Sequence, residues 1–287
     1  IFVIVVFICS ISNAQQKIPF IDYHQIQPQI EKAVAQKDYA KALSLANKIN
    51  KNDSVYFSVL SLKSYYLLQL KKFEEVVKVA DQGIEANHSN PKVFFYINKA
   101  SALTTLKQYD AAIETYNKAI QIYPKNYLIW YHKGEVLEQQ NKIKEALESY
   151  KEAILLNPLF NKPHFKIGNI FYNQKKFTQS LMAFNMYLLL DPDGEEAFTA
   201  IKEINNKAAL LSPFNANDKL QLVDTDNKFK KIDAILSSKS SIKLSYKTNN
   251  EIELALVNQN HIMMQNLKDF SNDGGFWSQK YVTFYKW

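Results

Sequence analysis

The chain has 287 residues, 47% hydrophobic and 13% aromatic, with 35 basic residues against 28 acidic ones and a net charge of +7. Such a composition can bury an extended core, and it excludes a disordered or collagen-like chain. Every basic residue is lysine, so the planar fork that grips phosphate bidentately is missing, and no lysine run is interleaved with stacking aromatics; no nucleic-acid partner is expected.

Residues 1–8 form an uncharged apolar run, followed by Cys9, Ser10 and Ile11 and then by Ser12-Asn13-Ala14. This is the pattern of a signal-peptide hydrophobic region with its small-residue cleavage site, and it is shorter than the roughly 20 apolar residues a membrane span needs. Residues 1–14 are therefore expected to be a signal peptide cleaved after Ala14. It lacks the basic start and the initiator Met, so it is expected to be N-terminally incomplete. The mature chain is expected in the periplasm or outside the cell. Phe7-Ile8 precede Cys9 where a lipid-modified cysteine would follow small residues, so a lipoprotein anchor is not expected. Once Cys9 is removed no cysteine remains, which excludes disulfides, thiol catalysis and Cys-ligated zinc. The positive charge allows weak attraction to an anionic envelope surface, screened within about 8 Å at physiological salt.

Residues 15–28 contain Pro19 and Pro28 and suit a lead-in linker. Five helix pairs are predicted from there. The first lies over residues 29–50 around Lys37-Asp38, the second over 54–87 around Lys71-Lys72, and the others over 92–123, 126–157 and 163–190. The fourth pair states the rule. Trp130, Gly134 and Leu137 share one helical face, with Trp130 expected to be buried and Gly134 letting a second helix come close. After Gln140-Asn141, the apolar positions Ile143, Ala146, Leu147, Tyr150, Ala153 and Ile154 follow the spacing of an amphipathic helix, which Pro158 ends. Tyr96, Ala100, Leu103, Ala112, Tyr116, Ala119 and Pro124 stand 34 residues earlier; His164, Gly168, Phe171, Ser180, Phe184, Tyr187 and Pro192 stand 34 later. Phe73, Val76, Ala80 and Gly83 match at an offset of 36, and Tyr39, Ala42, Ala46 and Ile49 precede that set by 34.

A 34-residue helix-turn-helix with Trp, Gly, aromatic, Ala, aromatic, Ala and Pro in this order resembles the tetratricopeptide repeat (TPR) family. Residues 127–160 carry the resemblance best, through Trp130, Gly134, Ala146, Tyr150, Ala153 and Pro158; Lys133 and Leu137 depart from the usual Leu and Tyr. The resemblance implies an all-α, right-handed superhelical solenoid of about five repeats over residues 29–194, since no pair can bury its apolar stripe alone. Residues 195–212 are read as a capping helix, with Asp191 or Asp193 as its N-cap. Residues 213–287 form a mostly helical C-terminal segment rich in aromatics. Helical spacing is expected over 227–237 and 250–270, and a strand-like alternation at Ile242, Leu244 and Tyr246. Trp277, Tyr281, Phe284, Tyr285 and Trp287 either cover the end of the array, which is favoured, or form an exposed patch for a partner.

In this family the first helix of each repeat lines a concave groove. By position the resemblance points to Tyr65, Asn98, Ser101, Thr105, Tyr131, Glu135, Glu138, Lys162, Phe165, Lys166, Asn169 and Tyr172 as groove residues. The family's carboxylate clamp is only half present: Lys162 and Lys166 fall on its slots, but His132, Ile97 and Ser101 replace its other members. The six glycines form no phosphate-cradling loop, the five histidines show no metal-ligand spacing, and Glu135 and Glu138 have no nucleophile beside them. Neither catalysis nor a cofactor nor a metal is expected. The resemblance implies a scaffold that binds a protein or peptide partner in its groove. The alternative is an accessory module of a larger enzyme or of a membrane-associated assembly complex.

Overall fold

The computed structural model describes residues 23–86, 92–210, 228–236, 255–268, 270 and 273–285. The expected signal peptide and the strand-like run at Ile242–Tyr246 lie outside the described residues. Ten helices form the five pairs: α1 (Tyr23–Ala35) and α2 (Tyr39–Ala46), α3 (Tyr56–Gln69) and α4 (Phe73–Ala86), α5 (Val93–Thr105) and α6 (Tyr109–Ile122), α7 (Tyr127–Gln139) and α8 (Ile143–Leu156), α9 (Asn161–Asn173) and α10 (Phe177–Leu190). They are followed by α11 (Ala197–Leu210), α12 (Lys230–Leu236), α13 (Ala255–Leu267) and a π-helical turn, Ser278–Val282, that runs into Thr283–Tyr285. Among the described residues there is no strand and no helix long and apolar enough to cross a membrane.

The repeat register survives in the backbone. Each pair turns through one residue of positive φ: Lys37, Lys71, Lys107, Asn141 and Lys175, all near +60°. Their spacing is 34, 36, 34 and 34, the period read from the side chains. Each turn is a Schellman closure. In the fourth, Lys142 N–H reaches Leu137 O at 2.8 Å and Asn141 N–H reaches Glu138 O at 2.9 Å. Four of the five positions carry Lys where glycine would be unstrained.

The helix starts are also local. Asp38 caps α2 by accepting from Lys41 N–H, and Asn126 caps α7 by accepting from Leu128 N–H, each at 3.0 Å. Three readings need correction. Helix α1 begins at Tyr23, so the lead-in does not extend to Pro28, which lies inside the helix. Pro28 forfeits one helical hydrogen bond, but Ile26, Ile30 and Ala33 are buried against α2 and hold the turn around it. Neither Asp191 nor Asp193 opens α11: its first carbonyl partner is Glu196, which accepts from Ala200 N–H, while Asp191 accepts from Asn161 Nδ2 at 2.5 Å. Trp130 is half-buried, with Nε1 donating to Pro124 O at 3.3 Å and Lys133 Nζ 5.4 Å from its ring; the neighbouring Ile129 takes the fully buried place.

The chain divides into two compact units at Gln108/Tyr109. In the first, α1 to α5, small apolar clusters gather around Ile30, Val59 and Tyr66, around Leu60, Ala80 and Phe95, and around Leu67, Val76 and Ala102. Equivalent positions of neighbouring repeats also bond through polar groups: Asn98 Nδ2 donates to Ser64 Oγ at 2.8 Å and Lys92 Nζ to Ser58 Oγ at 2.6 Å, both 34 residues apart.

In the second unit one large apolar cluster runs from Tyr131 to Val282. A Cβ on Gly134 would lie 2.6 Å from the Tyr150 ring, and one on Gly168 would lie 2.6 Å from Phe184, so the absent side chains are what let the helices of each pair close. The C-terminal segment completes this core. Tyr281 packs on His164, Trp277 lies edge-on to Phe171 at 5.2 Å, and the Tyr285 hydroxyl donates to Met182 O at 3.0 Å. Buried Asp233 accepts from both the N–H and the hydroxyl of Thr178, at 2.7 and 2.6 Å. Helix α10 has no side-chain cap of its own, so a residue 55 positions away caps its N-terminus.

Candidate functional site

On α7, residues 131, 135 and 138 recur at helical spacing and share one face. Helix α9 brings Lys166 beside them. Its Nζ lies 3.8 Å from Glu135 Oε1 and 3.4 Å from Glu138 Oε2, so one ammonium is held by two carboxylates. Each carboxylate is held in turn. Glu135 accepts from the Tyr131 hydroxyl at 2.9 Å and from His132 Nδ1 at 2.9 Å; Glu138 accepts from the Tyr150 hydroxyl of α8 at 2.6 Å. The same pairing of tyrosine and glutamate continues beyond α9, where Tyr187 of α10 donates to Glu196 at 2.9 Å and Tyr172 of α9 bonds to Glu203 of α11.

The electrostatics follow from this arrangement. Burial pushes the Tyr131 and Tyr150 hydroxyls far above the ordinary phenol range, and the adjoining Glu135 and Glu138 charges and hydrogen bonds add to it. Burial pushes Tyr172 and Tyr187 up to about 12, with Glu203 and Glu196 reinforcing the effect. These hydroxyls are fixed donors at neutral pH. For Glu135 the balance is reversed: burial raises its carboxyl, but bonds from His132 and Tyr131 and the Lys166 charge outweigh that and hold it below the usual value. The seam carries four glutamates against one lysine. Within a basic chain, it is a local concentration of negative charge.

Of the residues singled out by position, the structure brings together Tyr131, Glu135, Glu138 and Lys166, with Tyr172 on the same helix as Lys166. Lys162 is exposed, and Asn169 and Tyr172 are half-exposed. Tyr131 and Phe165 are 5% and 9% exposed and belong to the core: Tyr131 packs on Phe160 at 5.1 Å, Phe165 on Tyr187 at 5.3 Å. They support the seam and do not offer a free ring to a ligand. In the first unit, Asn98 is spent on Ser64, Thr105 donates to Ser101 O at 3.1 Å, and Tyr65, 38% exposed, lies edge-on to Tyr39. Sequence reasoning missed Tyr150 and His132 as members of the seam. Tyr150 was visible only as a core aromatic, and its hydroxyl is what reaches Glu138.

The geometry argues against a carboxylate clamp, because Lys166 is already neutralised by two acids and their surplus charge would repel another. The two histidines of neighbouring repeats are committed elsewhere. His164 is buried; its Nε2–H donates to Pro158 O at 3.0 Å, which leaves Nδ1 to accept from the Tyr281 hydroxyl at 2.6 Å. Burial lowers its pKa to about 4, so the ring is neutral at pH 7. Among the described residues no group of three His, Cys, Asp or Glu could hold a metal ion.

Comparison with known proteins places the repeats. Residues 100–141 match the family described as TPR repeat, and residues 127–160 match the tetratricopeptide repeat family. No curated protein is similar enough in sequence to match. Among solved structures the chain is similar to MamA of Desulfovibrio magneticus RS-1 from residue 41 to its end, at 15% identity and a TM-score of 0.49, over 62% of this chain and 99% of that one. It is similar to a second MamA crystal structure at 17% identity and a TM-score of 0.48, over 61% and 97%, and to MamA AMB-1 at 19% and 0.45, over 58% and 98%. The two family matches identify tetratricopeptide repeats over residues 100–160, and the turn register of that stretch runs through all five helix pairs of an all-α repeat array.

Proposed function

We propose that this protein is an interaction scaffold whose carboxylate–tyrosine seam on α7, α9 and α11 receives a cationic segment of a protein partner. Tetratricopeptide repeats support the role of protein-interaction scaffold, and the seam gives it a chemistry. The observation that carries the reading is Lys166, an ammonium seated between Glu135 and Glu138. It is an internal example of the group the seam would accept from outside, and the surplus glutamates leave charge for more. Tyrosine hydroxyls that cannot ionise hold those carboxylates in place, so little ordering is left for the moment of binding. The apolar run followed by Ser12-Asn13-Ala14 supports a place for the scaffold in the cell envelope or outside the cell.

The test is a Glu135→Gln/Glu138→Gln double variant, which keeps the shape and the acceptors but removes the charge. A partner captured from the envelope fraction by the parent protein should be lost from this variant, with helical content unchanged by circular dichroism. Capture should also weaken as salt rises. A partner retained equally by both proteins would overturn the use of the seam. N-terminal sequencing of the protein from its source cell should find Gln15 as first residue; a chain that retains residues 1–14 would overturn the export.

A further inference from the structure

A cavity in the same unit shares no residue with the seam. It has a volume of about 240 Å³, is partly open to solvent, and is bounded by α9, the start of α10 and the C-terminal segment. Five of its eleven lining residues are aromatic: Phe171, Phe229, Phe270, Phe276 and Trp277. Phe229 and Phe270 stack at 4.6 Å with planes 12° apart, and Phe171 meets Trp277 edge-on at 5.2 Å. Phe270, Phe276 and Trp277 are each partly open to solvent. One polar group stands out. Gln179 is 6% exposed, lines the cavity, and has a carboxamide oxygen with no hydrogen-bond partner.

We propose that this cavity binds an indole ring, free or carried as a tryptophan side chain of a partner, with the ring N–H donating to Gln179 Oε1. The size selects the ring system. An apolar protein cavity of about 150 Å³ takes up benzene, so this one has room for a second fused ring. Its edge-to-face and stacked walls offer an entering aromatic the arrangements that such rings prefer.

The polar groups select the donor. A buried carbonyl left unpaired is destabilising, and a ligand N–H supplies the missing bond. The terminal torsion of glutamine is soft, so the oxygen can turn towards a donor inside the cavity. An anion is not what the site lacks, because its cations are engaged: Lys176 Nζ lies 5.6 Å over the Phe171 ring, and Lys228 pairs with Asp273. A cationic ligand would meet those same two lysines. A neutral two-ring aromatic with one donor suits the ring walls and supplies the bond that Gln179 lacks.

The experiment titrates the full chain with indole and with 1-methylindole, which has the same rings and no donor, by calorimetry and ligand-observed NMR. Indole should bind about five- to tenfold more tightly, the worth of one hydrogen bond to a buried acceptor. In Gln179→Leu that preference should vanish, and the unliganded variant should melt no lower than the parent, since an unpaired buried acceptor has been removed. N-acetyltryptophanamide separates the two sources: tighter binding than indole assigns the cavity to a partner's tryptophan, and weaker binding assigns it to the free ring. Absence of indole binding, equal binding of the two indoles by the parent, or a preference that persists in Gln179→Leu would each overturn the proposal. The first two of these outcomes do not depend on the variant folding.

Discussion

Before Gln108 the described residues hold three small apolar clusters, whereas after Tyr109 a single large cluster reaches from Tyr131 to Val282. The helix pairs in both units obey one register, so the repeat does not explain the difference. The C-terminal segment does. It contributes Phe229, Ile232, Leu236, Ile262, Met263, Leu267, Tyr281 and Val282 to the second core, while each cluster of the first unit joins only three consecutive helices. An array of identical joints can thus be loosely linked over one stretch and consolidated over another by a segment that is not a repeat.

The largest expected effect tests that consolidation directly. Tyr281→Ala removes a fully buried ring on His164 and should cost about 3 to 5 kcal/mol. Tyr39→Ala, a half-buried ring of the first unit, should cost about 1 kcal/mol. Urea melts of both variants check this, and equal losses would erase the contrast between the units.

Acid should act on the second unit through His164. Its folded pKa lies near 4, below the ordinary value of 6.5, so the unfolded chain takes up the proton first. The stability that depends on keeping it neutral is present above about pH 6.5 and falls by about 3 kcal/mol as pH drops towards 4. Glu135, held low by its donors, adds a further loss only below the ordinary carboxyl range. Melts at pH 7 and pH 4.5 should show the larger loss in the parent than in His164→Gln; equal slopes would mean that the ring is not buried neutral.

Capping gives a smaller contrast. Asp233→Ala strands the buried N–H and hydroxyl of Thr178 and should cost about 1 to 3 kcal/mol. Asp38→Ala removes an exposed cap of α2 and should cost about 0.5 to 1 kcal/mol. Hydrogen exchange at the first turn of α10 should rise in the former variant alone.

The smallest effect should be the same in both units. Lys71→Gly and Lys175→Gly relieve a left-handed residue at equivalent turns, and each should gain about 0.5 to 1 kcal/mol after the added freedom of the unfolded chain is counted. Unequal gains would show that the turns differ in more than position.

The repeat was legible because its causes are local. Turn residues, small residues at helix contacts and the apolar stripe all recur within one period, so even the two extra residues between the second and third turns could be read as an offset of 36. Of the seam, Glu135, Glu138 and Lys166 were legible as neighbours on first helices. The state of Tyr131 and Phe165 was not, because periodicity tells which face a residue shares and not how far the neighbouring helix covers it; Trp130 fails for the same reason. Asp233 on Thr178 and Tyr281 on His164 join residues 55 and 117 positions apart. No period links such residues, so only the folded chain brings them together.

The cap on α10 also bears on how the protein is made. A ribosome that has just completed Thr178 must add 55 residues before Asp233 exists. At about 5 to 20 residues per second that is a wait of about 3 to 11 seconds, during which the nascent fifth pair stands with the start of its second helix uncapped. The first pair carries the cap of its second helix, Asp38, within its own turn and can settle as it emerges. The fifth is finished late, by sequence that has not yet been translated when its own helices are complete.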